Sequence, residues 1–294
     1  MRAIPLVLNS RSGSAGDDLA ERLAGLYRAA GAEVIPHVSK RGEEIVRLAR
    51  DAARERPPLV VAAGGDGTVN AVASALVGSG IALGVVPTGT LNHFARDLAI
   101  PLDAPAAVLA TLEGQPREID VGEVNGRIFL NNSSIGLYPA MVHERTKQQR
   151  RLGRSKWHAM LWAAHTVLRS HPFMQLTLAL DGKTYRRRTP FVFIGNNVYE
   201  MQGFDIGRRQ RLDAGVLSVY VTHRGGRFSL LALAGRALLG RLEQSRDFEA
   251  GTAAELRIES RHTRLLVATD GEVAAMDLPL SYRVRPRALR VISP

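Results

Sequence analysis

The stretch LVVAAGGDGTVN, residues 59–70, decides the fold of this chain. Its first five residues, Leu59 to Ala63, form an apolar run that is typical of a short buried strand. Gly64 to Thr68 follow, and an apolar helical pattern then runs from Val69 to Val77. A strand, a glycine turn and a helix bring backbone N–H groups and a helix N-terminus up to a phosphate group. The stretch therefore predicts a phosphate-binding loop.

An acid stands in the middle of this loop. Asp66 would repel a phosphate group unless a cation or a transferable proton lay between them, so it favours a Mg-nucleotide or a phosphoryl acceptor. The same residues also fit an ordinary tight turn with aspartate as its polar cap. Both interpretations stay open on the pattern alone.

Two further loops of the same kind lie in the first hundred residues. The run IALGVVP, residues 81–87, predicts a second buried strand, and IPLVLN, residues 4–9, predicts another that leads into residues 10–13. In an open parallel sheet, ligands bind outside the carboxyl ends of the strands, so these loops are expected to face one crevice. The residues that follow the second strand are Thr88, Gly89, Thr90, Leu91 and Asn92.

Two common nucleotide motifs are missing. No G-x-G-x-x-G follows a strand, so the dinucleotide-binding fingerprint is absent. Gly84 to Thr90 has the outer spacing of a P-loop, but Thr90 stands where the lysine belongs. Without that lysine the contact to the β- and γ-phosphates is lost, which excludes a P-loop.

These residues resemble the diacylglycerol kinase catalytic domain of soluble bacterial lipid kinases, within the NAD kinase and phosphofructokinase-like superfamily. GGDGTVN at 64–70 and PTGTLNHFARDL at 87–98 are similar to its two signature blocks, and NSRSG at 9–13 is similar to its opening motif. GGDGT alone is shared with NAD kinases and phosphofructokinases, whereas PTGT-x-N with a late D-G-E points to lipid kinases. The resemblance spans Asn9 to Glu272, because further motifs match in order at Asp120, Gly195-Asn196 and Thr269-Asp270-Gly271-Glu272.

The resemblance implies an ATP- and Mg²⁺-dependent kinase that transfers the γ-phosphoryl group to the hydroxyl of diacylglycerol or a related lipid alcohol. Phosphoryl transfer needs positioning, charge neutralisation by a metal, and a carboxylate that accepts the hydroxyl proton. By the same resemblance Glu272 is the general base, Asp270 and Asp66 are further catalytic residues, and Asp97 and Asp120 support the site. The implied nucleotide-binding residues are Asn9, Ser39, Gly64, Gly65, Asp66, Gly67, Thr68, Val69, Asn70, Thr88, Gly89, Thr90 and Asn92.

The late acidic motif has two interpretations. A glycine between Asp270 and Glu272 allows both acids to approach one site. Asp270-Gly271 after an apolar strand is equally typical of a hairpin turn. The two interpretations are compatible, since a rigid hairpin is a suitable mount for a base.

The resemblance also implies a structural Mg²⁺ held by a D-D-G motif, which reads Asp213-Ala214-Gly215 here. The ligating aspartate of the family corresponds to Ala214, which leaves Asp213 and the backbone carbonyls of Arg211 and Val216. Mg²⁺ requires several oxygens in near-octahedral geometry, so we expect this metal site to be weakened.

Composition and charge narrow the class of protein. The chain has 294 residues and no cysteine, which excludes disulfides and thiolate metal sites. Neither a secretory signal nor a run of about 18 apolar residues is found, so we expect a cytoplasmic protein. The formal net charge is +11, but only 5% of residues are aromatic and they are not interleaved with basic residues, which argues against nucleic acid.

Basic residues concentrate between positions 145 and 156, directly before Trp157. This pattern is typical of peripheral association with an anionic membrane surface, although a solvated helix face would give the same pattern. Arg186 to Arg188 form a second cluster, which is expected at the exposed end of a hairpin. The oligomeric state stays open.

The order of patterns predicts two domains. Residues 1–122, to which 283–294 return, are expected to form a three-layer α/β nucleotide domain with a mostly parallel sheet. Residues 123–282 are expected to form a β-sandwich-like domain for the lipid substrate, with hairpin turns at Asn125-Gly126 and Asp181-Gly182. Helical insertions are predicted at about 138–169 and 227–243, and the active site in the interdomain cleft.

Two other functions remain open. One is a kinase of a soluble substrate such as NAD, against which PTGTLN and the late D-G-E argue. The other is a non-catalytic nucleotide- or lipid-binding protein. Ala71, where many relatives have glutamate, and Ala214 favour this last possibility, whereas Asp66, Asp270 and Glu272 count against it.

Overall fold

A computed structural model of the chain describes residues 3–9, 18–136, 139, 173–199, 201–202, 205–206, 209–222 and 248–294. It divides into two compact units, Met1–Val121 with Arg285–Pro294, and Gly122–Val284. Several predictions fall outside the described residues: loop 10–13, the basic segment 145–156 with Trp157, and the helices at about 138–169 and 227–243.

The described helices are α1 (Leu19–Ala29), α2 (Gly42–Ala53), α3 (Asp66–Leu76), α4 (His93–Asp97) and α5 (Ala104–Glu113). The described strands are β1 (Ile4–Asn9), β2 (Val34–Ser39), β3 (Leu59–Gly64), β4 (Ala82–Pro87), β5 (Gln115–Val124), β6 (Arg127–Phe129), β7 (Asn132–Gly136), β8 (Met174–Leu180), β9 (Lys183–Thr189), β10 (Phe191–Asn196), β11 (Met201–Gln202), β12 (Asp205–Ile206), β13 (Leu217–Thr222), β14 (Phe248–Ala253), β15 (Glu255–Ser260), β16 (Arg264–Thr269), β17 (Glu272–Asp277) and β18 (Leu280–Ser293).

The first unit is an α/β layer with a parallel sheet, as the sequence predicts. Its strand order is β2-β1-β3-β4, followed by the C-terminal half of β18, and every neighbouring pair in that order is parallel. The central strands are apolar on both faces, and Leu6, Val61 and Leu83 are fully buried, as expected where helices cover a parallel sheet. Helix α2 shows the helical period clearly, because its buried residues are Ile45, Ala49 and Ala52.

A buried aspartate holds a bend in β18. Arg287 has a φ of +49°, in the left-handed region that a non-glycine residue rarely adopts. The side chain of Asp120 is fully buried, and its Oδ1 accepts the backbone N–H of Arg287 at 2.9 Å. Asp120, which the sequence marks as a supporting site residue, therefore has a structural role in this unit.

The second unit is a β-sandwich-like domain. One sheet has the order β14-β13-β10-β7-β16-β17 with antiparallel pairs. The other layer is formed by β9, β8, β15 and the N-terminal half of β18. The two layers bury a common core, to which one contributes Ile135, Val192 and Val267 and the other contributes, among others, Leu178 and Ile258.

The predicted hairpin turns are confirmed by the backbone. A type I′ turn needs positive φ at both central residues. The pairs concerned all satisfy this requirement: Asn125-Gly126 (46° and 83°), Asp181-Gly182 (44° and 84°) and Asp270-Gly271 (47° and 84°).

The arginine cluster at 186–188 lies elsewhere than predicted. These residues do not lie at the end of the hairpin. They are part of β9 itself, where they pair with Gln175 to Thr177 of β8. The prediction was wrong because a strand at the edge of a sheet tolerates charged side chains that a central strand excludes. Arg187 forms a two-pronged contact with Glu249, at 2.8 and 2.6 Å.

None of the helices in the described ranges has both the length and the apolar composition that a membrane span requires.

Asp120→Ala is expected to lower the free energy of unfolding by about 1–3 kcal/mol, because it leaves the Arg287 N–H without its acceptor. Asp120→Asn keeps an oxygen at this position, so its free energy of unfolding should fall by less than that of Asp120→Ala. Urea unfolding followed by circular dichroism measures both variants. An unfolding midpoint of Asp120→Ala equal to that of the wild type would contradict the structural role.

Candidate functional site

The two glycine loops of the first unit touch each other through their backbones. Loop 64–68 follows β3, loop 88–92 follows the neighbouring parallel strand β4, and the Thr88 N–H donates to the Gly64 carbonyl at 3.0 Å. A Cβ atom placed on Gly89 would lie 2.4 Å from the Gly65 Cα. Since real Cβ contacts are never this short, only glycine at position 89 lets the loops come this close.

Helix α3 begins inside the first loop. Its first residue is Asp66, so the N-terminal N–H groups of the helix lie at the carboxyl edge of the sheet. Gly64 is needed for this geometry, because a Cβ atom there would lie 2.4 Å from the Thr68 Cβ. Thr68 and Val69 are buried, whereas Gly67 is exposed, so a ligand at this end would meet mainly backbone.

Two buried polar atoms of these loops have no hydrogen-bond partner in the described structure: Asn70 Oδ1 and Thr88 Oγ1. An unsatisfied buried polar group lowers the stability of the folded state by about 1–3 kcal/mol, so such groups are rare in proteins. Both sequence-predicted residues therefore offer unused hydrogen-bonding capacity beside the glycine contact.

Asp66 ties the first loop to the second. Its Oδ1 accepts the backbone N–H of Phe94, in the first turn of α4, at 3.1 Å. This contact uses one of the two carboxylate oxygens. Asp66 therefore caps the start of α4 and not its own turn, and this contact is compatible with a second contact to a ligand.

Asn92 shapes the second loop from within. It adopts a left-handed conformation, with a φ of +49°. Its Oδ1 accepts the Gly89 N–H at 3.1 Å, and its Nδ2 donates to the Gly89 carbonyl at 2.8 Å. Both polar groups of the side chain are thus engaged inside the loop, while Thr90 at the tip is exposed.

The remaining candidates of the first unit lie at the ends of other elements. Asn9 and Ser39 are opposite each other at the carboxyl ends of β1 and β2. The Ser39 hydroxyl donates to Glu44 Oε2 at 2.6 Å and accepts the Arg41 N–H at 2.9 Å, so it organises the start of α2. Asp97 is the last residue of α4 and is half-buried.

In the second unit, Asp270 is partly buried and accepts three backbone N–H groups. The donors are Leu130 at 2.7 Å, Asn131 at 2.9 Å and Asn132 at 3.0 Å, and the Asp270 N–H in turn donates to the Asn132 carbonyl at 2.9 Å. Burial raises the pKa of this carboxyl from 3.8 to about 6, against the opposing effect of the three N–H groups and the Arg209 charge.

Glu272 differs from Asp270 in surroundings. It is exposed, and its Oε2 lies 2.5 Å from Nη2 of Arg127. The two acids of the D-G-E motif therefore contact different partners. Asp270 contacts backbone N–H groups, and Glu272 contacts the guanidinium of Arg127. The expectation that both acids approach one site is not met by these contacts, because the hairpin directs one carboxylate inward and the other outward.

The groups that would hold the structural metal have contacts within the protein. Asp213 Oδ1 accepts a hydrogen bond from Arg211 Nε at 3.1 Å, and the Val216 carbonyl accepts the Asn197 N–H at 2.9 Å. Position 214 contributes a methyl group and an N–H, which donates to Asn197 Oδ1 at 2.8 Å. Within the described residues, no group of three or more metal-ligating side chains occurs.

Sequence reasoning missed Arg209. This side chain is only 4% exposed, and its guanidinium donates to the Leu130 carbonyl, the Asn196 carbonyl and Asn131 Oδ1. Its neighbours at 208 and 211 are also arginines, so no local pattern distinguishes the buried member of the run from the others.

Comparison with known proteins identifies both parts of the chain. The family model described as the diacylglycerol kinase catalytic domain matches residues 3–124. The model described as the YegS C-terminal NAD kinase beta sandwich-like domain matches residues 134–293, which is more than half of the chain.

Similar proteins carry related names. A probable lipid kinase YegS-like from Pseudomonas aeruginosa is 41% identical over 133 residues, which are 45% of this chain and only 43% of that protein. A diacylglycerol kinase from Bacillus subtilis is 26% identical over 273 residues, 91% of this chain and 88% of the relative. A crystal structure of a diacylglycerol kinase from Bacillus anthracis matches with a TM-score of 0.74 at 22% identity, covering 99% of this chain and 97% of the other, and so shares its fold.

Gly89→Ala is expected to weaken nucleotide binding ten- to hundredfold, because the added Cβ would force the two loops apart at a cost of about 1–3 kcal/mol. Titration calorimetry with an ATP analogue measures the affinity. Gly25→Ala in α1 is the matched control, since a Cβ atom there meets nothing within 4 Å. Equal affinity of both variants would contradict the importance of the loop contact.

The raised pKa of Asp270 predicts a specific pH dependence of stability. The folded protein binds a proton at this carboxyl more tightly than the unfolded chain does, so its contribution is fully present below pH 3.8 and is lost as pH rises through about 6. The difference in unfolding free energy between wild type and Asp270→Asn should therefore fall by about 2 kcal/mol from pH 4 to pH 7. Urea unfolding at a series of pH values measures this difference, and a constant difference would refute the assignment.

Proposed function

The chain belongs to the diacylglycerol kinase family, and on that basis we propose that it is an ATP- and Mg²⁺-dependent kinase of a lipid alcohol. The observation that carries the proposal is the pair of glycine loops in backbone contact at Gly65 and Gly89. Relatives named diacylglycerol kinase and YegS-like lipid kinase support the same activity.

The first unit has the features that a nucleotide needs. The N-terminus of α3 presents backbone N–H groups where a phosphate can lie without meeting a side chain at Gly67. Asn70 Oδ1 and Thr88 Oγ1 are buried without partners in the described structure, so both residues have unused hydrogen-bonding capacity. Mg²⁺ fits this arrangement because it commonly keeps waters and phosphate oxygens and needs only one or two protein carboxylates.

Bound Mg-ATP would supply the γ-phosphoryl group and neutralise its charge. The loops would hold the phosphates in line with the acceptor, which is the main task of the protein in phosphoryl transfer. Asp66, with one oxygen used on the Phe94 N–H, keeps the second loop in place, and its other oxygen would help to hold Mg²⁺. Asn92 would act indirectly, by maintaining the shape of the loop that carries Thr90.

Glu272 is our candidate for the general base. It is exposed and so can reach a substrate hydroxyl, and it follows directly on a rigid type I′ turn. Its contact with Arg127 is between exposed side chains, and such ion pairs contribute only about 0–1 kcal/mol. The carboxylate can therefore leave the arginine to accept a proton. Asp270 would contribute by fixing the turn, since its own oxygens are engaged with backbone N–H groups.

A lipid acceptor implies contact with a membrane surface. The net charge of +11 and the basic segment 145–156 support peripheral binding to anionic lipid, in which each basic side chain near the surface contributes about 1 kcal/mol. Diacylglycerol is the first acceptor to test, followed by other lipid alcohols. A cytoplasmic location would suit both the ATP donor and this surface.

The first experiment asks where the phosphate goes. Purified protein is incubated with γ-labelled ATP, Mg²⁺ and a total lipid extract in mixed micelles, and the products are separated into organic and aqueous phases. We expect label in an organic-soluble product, whose identity names the acceptor. Label transferred only to NAD in a parallel reaction would favour a soluble acceptor, and no transfer with intact ATP binding would favour a non-catalytic binding protein.

Glu272→Gln tests the assignment of the base. It should lower kcat about a hundredfold or more while leaving ATP affinity unchanged, because general base catalysis contributes about 10²–10⁴-fold. Glu259→Gln is the matched control, since Glu259 is also an exposed glutamate paired with an arginine, Arg257. Full activity of Glu272→Gln would overturn the assignment.

A further inference from the structure

Arg209 is a buried cation that contacts backbone carbonyls, a side-chain amide and an aromatic ring. Its Nη1 donates to the Leu130 carbonyl at 2.6 Å and to the Asn196 carbonyl at 3.0 Å, and its Nη2 donates to Asn131 Oδ1 at 2.8 Å. The guanidinium also lies over the ring of Tyr199, 5.3 Å from its centre. Burying a charge is costly unless its hydrogen bonds are satisfied, and here several of the five donors have partners.

The acceptors of Arg209 belong to the segment that Asp270 binds from its other side. The Leu130 N–H donates to Asp270, while the Leu130 carbonyl accepts from Arg209 and from Asn196 Nδ2 at 2.9 Å. Asn131 repeats this arrangement, because its N–H donates to Asp270 and its side chain accepts from Arg209. Segment 130–132 therefore lies between the buried guanidinium of Arg209 and the partly buried carboxylate of Asp270.

This arrangement connects two distant parts of the chain, Arg209 and segment 130–132, to the D-G-E turn. Arg209 orients the peptide groups of segment 130–132, and those groups orient Asp270, which is two residues before Glu272. The Asp270 N–H closes the contact by donating to the Asn132 carbonyl. A positive charge on the carbonyl side of a peptide strengthens the hydrogen bond that its N–H side donates to a carboxylate.

We propose that Arg209 is a positioning residue, which holds segment 130–132 in the one arrangement that fixes the turn at 270–271 and thereby places Glu272 for catalysis. This inference rests on the proposed function only where it assigns Glu272 as the base. Lysine cannot replace Arg209 fully, because a single ammonium lacks the planar fork that reaches two carbonyls and an amide at once.

The kinetic test compares Arg209→Ala and Arg209→Lys with the wild type in the lipid phosphorylation assay. We expect Arg209→Ala to lower kcat about tenfold or more, with the KM for ATP within about twofold, because the nucleotide loops are unchanged. The kcat of Arg209→Lys should lie between those of the wild type and Arg209→Ala. Added guanidinium should restore part of the kcat of Arg209→Ala. The matched control is Arg264→Ala, which removes an exposed guanidinium, paired with Asp277, from the same hairpin.

Hydrogen exchange gives a readout that does not depend on activity. In Arg209→Ala, peptides that contain segment 130–132 and turn 270–272 should exchange faster than in the wild type and in Arg264→Ala. Unchanged exchange, or a kcat of Arg209→Ala within about twofold of the wild type, would overturn the proposal. A wild type that phosphorylates no lipid would refute the proposed function, and the exchange data would still decide whether Arg209 fixes the turn.

A milder variant covers the case in which Arg209→Ala does not fold. Asn131→Ala removes one acceptor of the guanidinium and leaves the backbone contacts in place. We expect it to lower kcat several-fold, about two- to fivefold, with the KM for ATP unchanged and with faster exchange of the same peptides. Wild-type kinetics together with wild-type exchange in this variant would overturn the proposal.

Discussion

Aspartate carboxylates that accept backbone N–H groups hold loops, a turn and a strand bend of this protein in place. Asp66 accepts the Phe94 N–H, Asp120 accepts the Arg287 N–H, and Asp270 accepts three N–H groups of segment 130–132. The partners are 28, 167 and about 140 residues apart in sequence, so each contact joins segments that the chain does not bring together locally. Hydrogen bonds to a charged group contribute more to the stability of the folded state than neutral ones do, about 1.5–3 kcal/mol each.

In the first unit these contacts act together with the glycines. The backbones of Gly65 and Gly89 approach so closely that a single methyl group would separate them, and Asp66 adds a hydrogen bond from the first loop to the helix after the second. The loops are thereby organised before any ligand binds. A site in which phosphate-binding N–H groups are already in place loses little free energy to rearrangement when the ligand arrives.

In the second unit the two acids of the D-G-E motif have different surroundings, because Asp270 is partly buried and Glu272 is exposed. Asp270 tolerates burial because segment 130–132 supplies hydrogen bonds and Arg209 supplies a nearby positive charge. Glu272, two residues later, is exposed and keeps a carboxylate that can exchange partners. The segment that corresponds to the D-D-G motif of the family contacts Asn197 through the Ala214 N–H and the Val216 carbonyl. Ala214 replaces the ligating aspartate of the family.

The amino-acid sequence by itself determined the parallel α/β layer, the antiparallel sandwich and the hairpin turns, because apolar periodicity and Asn-Gly or Asp-Gly pairs act over a few neighbouring residues. It also located the glycine loops and the D-G-E motif, and through them the family. It could not distinguish the roles of Asp66, Asp120 and Asp270, because a backbone N–H carries no sequence signature. Only the tertiary structure decided which backbone N–H groups each of these acids accepts, and that Arg209, in a run of arginines, is buried. Burial depends on how distant strands pack, and that packing is a property of the whole fold.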